Sequence, residues 1–288
     1  MRATVDGTRL EFDLVGAGPL VTVTPGGRFD RHTPGIPELA VRLADRCTVL
    51  TWDRPNCGGS AIRFDGTTES EMWADVLAGL VEHIDVGPAV ACGGSAGARV
   101  SLLAVQRHPS SFQAAVVWWV SGGVYARLNL GQVYVLPVLR ALQAGGVDDM
   151  LELPDWSALV RRSPENGEII RRLGAGALLD VFERWAGDFL GDSAVVGLAT
   201  ERLRSIDRPV LVLSGGPSDF DHPVAAAAWV AEQVPLGVLA SPPWPQDEWP
   251  RRCAIQAESD DGSIRLFEGW PQAADVVARA AGHGLGDG

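Results

Sequence analysis

The chain has 288 residues, a formal net charge of −12 and a pI near 4.8; so acidic a balance opposes binding to a phosphate backbone or to anionic lipid, which need clustered positive charge. Neither a nucleic-acid nor a membrane partner is expected. Every basic residue is arginine, because the sequence contains no lysine, and this excludes lysine Schiff-base chemistry and attachment of pyridoxal phosphate.

Strand-like and helix-like segments alternate along the first part, the pattern of a mostly parallel sheet covered by helices on both faces. Arg9 to Leu14 and Leu20 to Thr24 read as strands around the Gly16-Ala17-Gly18-Pro19 turn. Ile36 to Ala44 follows as a helix, Cys47 to Trp52 as a strand and Glu69 to His83 as an amphipathic helix. A short apolar stretch from Ala89 to Cys92 leads through Gly93-Gly94-Ser95-Ala96-Gly97 into a helix that runs to Gln106. Ala114 to Val120 is an uninterrupted apolar strand suited to the centre of a sheet. From residue 126 to 204 the rhythm becomes helical, with Leu136 to Ala144, Glu168 to Leu173 and Leu178 to Phe189 as helical segments, and is read as an inserted cap. Beta structure returns at Pro209 to Leu213, then a helix (Pro223 to Gln233), a strand (Gly237 to Ala240) and a terminal helix (Pro271 to Ala281). The expected division is 1–125 and 205–288 as the two parts of one α/β core and 126–204 as the cap. A length above the usual 100 to 200 residues of a domain, roughly, agrees with one α/β unit carrying an insertion.

Four scattered cysteines, Cys47, Cys57, Cys92 and Cys253, form no Cys-x-x-Cys pair and no cluster at metal spacing. Free thiols, no metal and no cofactor are expected. No apolar h-region precedes Gly7, and no stretch approaches the roughly 20 apolar residues that span a bilayer; the expected location is cytoplasmic.

The run from Gly93 to Gly97 places a serine between a strand and a helix with small residues on both sides, which is a nucleophile elbow. A dinucleotide fingerprint would need Gly-x-Gly-x-x-Gly in the first strand-helix unit, whereas this run comes after several strands and holds serine in the register. With this order of elements, the Gly-x-Ser-x-Gly motif resembles the α/β-hydrolase superfamily over nearly the whole chain. Four further segments are similar to that family. Thr24-Pro25-Gly26-Gly27-Arg28 looks like the oxyanion-hole loop, with Pro25 where histidine is usual. Asp53-Arg54-Pro55-Asn56-Cys57-Gly58-Gly59-Ser60 resembles the Asp-Arg-x-x-x-Gly-x-Ser loop. Arg107-His108-Pro109 closes the elbow helix in the family manner, and Gly216-Pro217-Ser218-Asp219 matches the loop of the triad acid.

In acyl transfer by serine a base takes the hydroxyl proton, a carboxylate orients the base and amides hold the oxyanion. The resemblance puts Ser95, Asp219 and the amides of Gly27 and Ala96 in three of those roles, and Arg28 beside them could bind a substrate anion or pair with an acid. The family's histidine belongs in the loop after the last strand, and Ser241 to Trp249 contains none. Of the five histidines, His83 and His108 read as structural and His283 falls after the terminal helix. His222, just before Pro223 and three residues beyond Asp219, is the expected base, since a helix N-terminus favours the neutral imidazole. His32 is the other residue that could line the pocket. Trp118 and Trp119 at the end of a strand, with Trp244 and Trp249 in the loop that lost its histidine, suggest a large, flat, apolar ligand, with Trp119 and Trp244 touching it.

The expected reaction is serine-dependent hydrolysis of an ester, lactone or related carbonyl bond in a bulky, aromatic small molecule. Two alternatives keep the fold: a cofactor-independent lyase, isomerase or cyclase, because the usual histidine is missing, and a ligand-binding pseudoenzyme.

Overall fold

In the computed structural model, which describes residues 1–259 and 262–283 apart from the side chain of His283, the chain opens on a hairpin of β1 (Arg2–Val5) and β2 (Thr8–Gly16). The sequence reading lacked β1, although its signal is present. Ala3 and Val5 are buried between exposed Arg2 and Thr4, and Asp6-Gly7, at φ 46° and 75°, is the turn dipeptide that suits the twist of a hairpin. There follow β3 (Leu20–Thr24), α1 (Ile36–Leu43), β4 (Thr48–Trp52), α2 (Glu69–Ile84), β5 (Ala89–Gly94), α3 (Ala96–Arg107) and β6 (Phe112–Trp118). Helices then run uninterrupted by any strand: α4 (Gly123–Tyr134), α5 (Leu136–Ala144), α6 (Val147–Glu152), α7 (Pro154–Arg162), α8 (Pro164–Trp185), α9 (Gly187–Leu190) and α10 (Thr200–Arg204). The chain closes with β7 (Val210–Leu213), α11 (Val224–Gln233), β8 (Gly237–Ala240), α12 (Glu248–Ala257) and α13 (Ala274–His283).

The strands form one sheet in the order β1-β2-β4-β3-β5-β6-β7-β8. Only the β1–β2 and β2–β4 pairs are antiparallel. Strands β3 and β5, buried at every position, lie in its middle because helices cover them on both faces. Alternation along β5 sorts its side chains. Val90 and Cys92 join a cluster with Ile36, Leu39 and Val277 of α1 and α13, while Ala89 and Ala91 face the layer of α2 and α3. Thr68 caps α2, its hydroxyl accepting from the Glu71 amide at 3.1 Å.

Helices α4 to α10 occupy the stretch between β6 and β7, and α8 is broken at Gly174, whose φ of 79° and ψ of 161° are not helical. Beyond β8 the chain departs from expectation. Residues 241–249 are not the whole connection after the last strand, since α12 follows and the chain returns to the sheet only at the 3₁₀ turn Trp270–Ala273. Residues 241–269 contain no histidine, so the longer connection supplies no base either. Among the described residues no helix is long and apolar enough to cross a membrane.

Candidate active site

Ser95 stands between β5 and α3 with φ 55° and ψ −120°, a backbone state that costs about 1–3 kcal/mol for a non-glycine residue. Its amide is clamped by the carbonyls of Trp118 and Trp119 at 3.3 and 3.0 Å. The flanking glycines are required by what presses on them. A Cβ on Gly94 would lie 2.4 Å from Trp118 Nε1, and one on Gly97 2.1 Å from the Thr24 carbonyl oxygen. The serine is half-buried, and its Oγ meets Ser121 Oγ at 3.5 Å.

Facing the elbow, the loop after β3 carries Gly27 at φ 46°, and the Gly27 N–H donates to no acceptor among the described residues. Ala96, the first residue of α3, has no acceptor within the helix for its own N–H. Fully buried Arg54 holds this loop, its Nη2 donating to the carbonyls of Gly26, Gly27 and Phe29 at 3.2, 2.7 and 3.3 Å. Its guanidinium also lies over Trp73 at 4.5 Å. Arg54→Met is expected to lower the free energy of unfolding by about 2–3 kcal/mol, the scale of hydrogen bonds from a charged donor, in urea denaturation. An unchanged midpoint would mean that the loop is held by something other than Arg54.

Asp219 and His222 are both buried and form a pair within one loop. Asp219 Oδ1 accepts the His222 amide at 2.9 Å and Oδ2 lies 3.1 Å from His222 Nδ1, which fixes the tautomer that leaves Nε2 as an acceptor. Trp119 stacks on the imidazole (centroids 5.8 Å, 18°) and Trp249 meets it edge-on at 4.7 Å. No hydrogen bond joins His222 to Ser95 among the described residues. The expected acid and base are together, and among the described residues no hydrogen bond links them to the expected nucleophile.

A narrow cavity opens beside the elbow, with Gly27, Ala96, Arg28 and Arg99 at its polar end and the rings of Trp73, Phe182, Trp185 and Phe189 as walls. Tyr134 lines it too, its hydroxyl 2.8 Å from where a Gly27 Cβ would sit. Ser95 borders not this cavity but a neighbouring crevice shared with Ser121 that is too tight to admit a water, and Arg99 lines both.

Several expected contacts are relocated. Trp119 and Trp244 are core residues, packed with Trp118, Trp249 and Trp270, because β6 and the connection after β8 press them together behind the elbow. The aromatic walls come instead from α2, α8 and α9. His32 is exposed and borders a separate surface cleft with Arg2, Arg9 and Arg162, since the oxyanion loop carries it away from the elbow. Arg28 does line the cavity, but Glu69 takes its Nη1 and Nη2 at 3.0 and 2.7 Å. Burial alone would lower the Arg28 pKa; the Glu69 carboxylate outweighs it and holds it above the ordinary arginine value. His83 is exposed at the end of α2 and His108 Nε2 lies 2.7 Å from Asp75; the side chain of His283 lies outside the described residues. Sequence reasoning missed Arg99 and Ser121. The signal for Arg99 was a lone charge in the small and apolar helix Ala96 to Val105.

No protein-family model matches the chain, and no curated protein does. Solved structures do. An α/β hydrolase from Sphaerobacter thermophilus DSM 20745 is similar at 23% identity over 96% of this chain and 99% of that one, with a TM-score of 0.58. An esterase from Thermogutta terrifontis matches at 22% over 84% and 89% (TM-score 0.55), and an enol-lactonase from Burkholderia xenovorans LB400 at 17% over 90% and 97% (TM-score 0.55). The sheet order, the strained serine between β5 and α3 and these likenesses agree: the chain has the α/β-hydrolase fold.

Proposed function

We propose that this protein is a serine-dependent hydrolase of an ester, lactone or related carbonyl bond in a small molecule with a flat, apolar body. Ser95 Oγ attacks the carbonyl carbon while its proton passes to His222 Nε2, and the oxyanion is held by the amides of Gly27 and Ala96. The imidazolium, steadied by Asp219, returns that proton to the departing alcohol; water then enters by the same route and releases the acid. The observation that carries the reading is a serine on a strained turn, followed in the chain by Ala96, whose cavity also takes in Gly27 with an amide that has no acceptor among the described residues. His222 and Ser95 must close on each other in the substrate complex, as catalytic hydrogen bonds that are long in an empty site do. A narrow aromatic slot supports the flat, apolar body expected from the tryptophans.

An alkyl fluorophosphonate is expected to label the folded protein on the peptide carrying Ser95, and Ser95→Ala to remove the label. A folded wild type that stays unlabelled at millimolar reagent overturns the nucleophile assignment.

That no hydrogen bond joins His222 to Ser95 among the described residues favours one other reading, a lyase, isomerase or cyclase in which Ser95 only donates a hydrogen bond to a carbonyl. Conversion in heavy-oxygen water separates the two: label entering the product requires hydrolysis, and its absence the second reading.

A further inference from the structure

Among the cationic groups near the elbow, one has no obvious employment. Arg99 is more than nine-tenths buried, at 7% exposure, one helical turn after Ser95, whose carbonyl accepts the Arg99 amide at 3.3 Å. Side chains on a helix lean toward its N-terminus, so this guanidinium leans back toward the elbow and lines both the aromatic cavity and the crevice against Ser95. Its Nε donates to Ser70 Oγ at 2.8 Å, and Ser70 Oγ donates in turn to Asp188 Oδ2 at 3.1 Å. Neither terminal nitrogen makes a hydrogen bond or ion pair among the described residues; the guanidinium lies 5.7 Å from the Phe189 ring and within electrostatic reach of Asp188 and Glu69.

Of the other two arginines nearby, Arg28 is taken by Glu69; Arg54 is bound through Nη2 to three carbonyls while its Nε and Nη1 are buried without a partner, but it lines neither the cavity nor the crevice beside Ser95. A protein gains nothing in stability from an enclosed cation with idle donors, because desolvating it is costly. Burial pushes the nearby Asp188 carboxyl above the usual range, although Arg99 and Ser70 draw it down. Two parallel N–H groups facing a water-poor slot are the shape that takes a carboxylate in two hydrogen bonds.

We propose that Arg99 is a substrate-binding residue that recognises a carboxylate, so that the molecule turned over at Ser95 is an anion: a flat apolar body carrying a free carboxylate at Arg99 and its scissile carbonyl at Gly27 and Ala96. This rests on the hydrolase reading of the site, but its test does not need turnover. Calorimetric titration compares 3-phenylpropionate with 3-phenylpropionamide, a pair alike in shape and different in charge, on the wild type and on Ser95→Ala. The acid is expected to bind at least tenfold tighter than the amide to both proteins. Arg99→Met, checked for folding by circular dichroism, is expected to erase that preference and Arg99→Lys to restore part of it. Should Arg99→Met fail to fold, the acid-to-amide ratio on the wild type decides alone. Equal affinities, or no binding of the acid at millimolar concentration, overturn the proposal. If the acid preference stands while the fluorophosphonate leaves Ser95 untouched, the nucleophile assignment has failed and the anion site has survived.

Discussion

Ser95→Ala and His222→Gln are each expected to lower kcat for an activated ester such as 4-nitrophenyl acetate by about 10⁴-fold or more, and the double variant to be no worse than either. Nucleophile and base act as one unit, so removing either disables both, and what remains comes from the oxyanion donors and binding. This arrangement tests the pairing directly because the expected acid and base sit in one loop, with Asp219 gripping both the amide and the ring of His222, while among the described residues the Ser95 hydroxyl has a hydrogen bond with Ser121 alone. If His222→Gln keeps kcat within about threefold of wild type, the imidazole is a packed core group between Trp119 and Trp249 and not the base. Thermal melts on the same samples separate a chemical defect from loss of the aromatic cluster, since a folded variant without turnover can only have lost chemistry.

One substitution made at two sites should change stability in opposite directions. Gly97→Ala places a methyl 2.1 Å from the Thr24 carbonyl oxygen and 2.9 Å from that of Pro25. Both obstacles are backbone, so the end of β3 or the start of α3 must shift. Overpacking of this kind costs about 3 kcal/mol, a fall in Tm of about 6 °C or more for a chain this large. The shift runs into the loop that carries Gly27, so ester turnover should fall as well. Gly176→Ala, on the exposed face of α8, meets nothing within 4 Å and should stabilise by about 0.5–1 kcal/mol, because alanine surrenders less backbone freedom in a helix. Differential scanning calorimetry of both variants checks the pair. A Gly97→Ala protein with unchanged Tm and turnover would remove the argument that close approach of β3 shapes the elbow.

What the amino-acid order determined by itself was whatever depends on neighbours in the chain. The elbow is legible because Gly93 to Gly97 encodes a local turn whose backbone state is set within a few residues, and the sheet strands because apolar runs of that length bury on both faces. The Asp219–His222 pair was legible for the same reason, being three residues apart. The alternation before Asp6-Gly7 held β1 in plain view, and helix α12 was hidden by the prolines that flank Trp244 and Trp249. Tertiary structure decided which side chains share a space. Trp119 and Trp244 went into the core because β6 and the connection after β8 converge there, while Trp73 and, more than a hundred residues further along the chain, Phe182, Trp185 and Phe189 came together as the walls. Arg28 found Glu69 and left Arg99 with idle donors for that same reason: a partner is chosen by distance in the folded chain, and spacing along it carries no record of that choice.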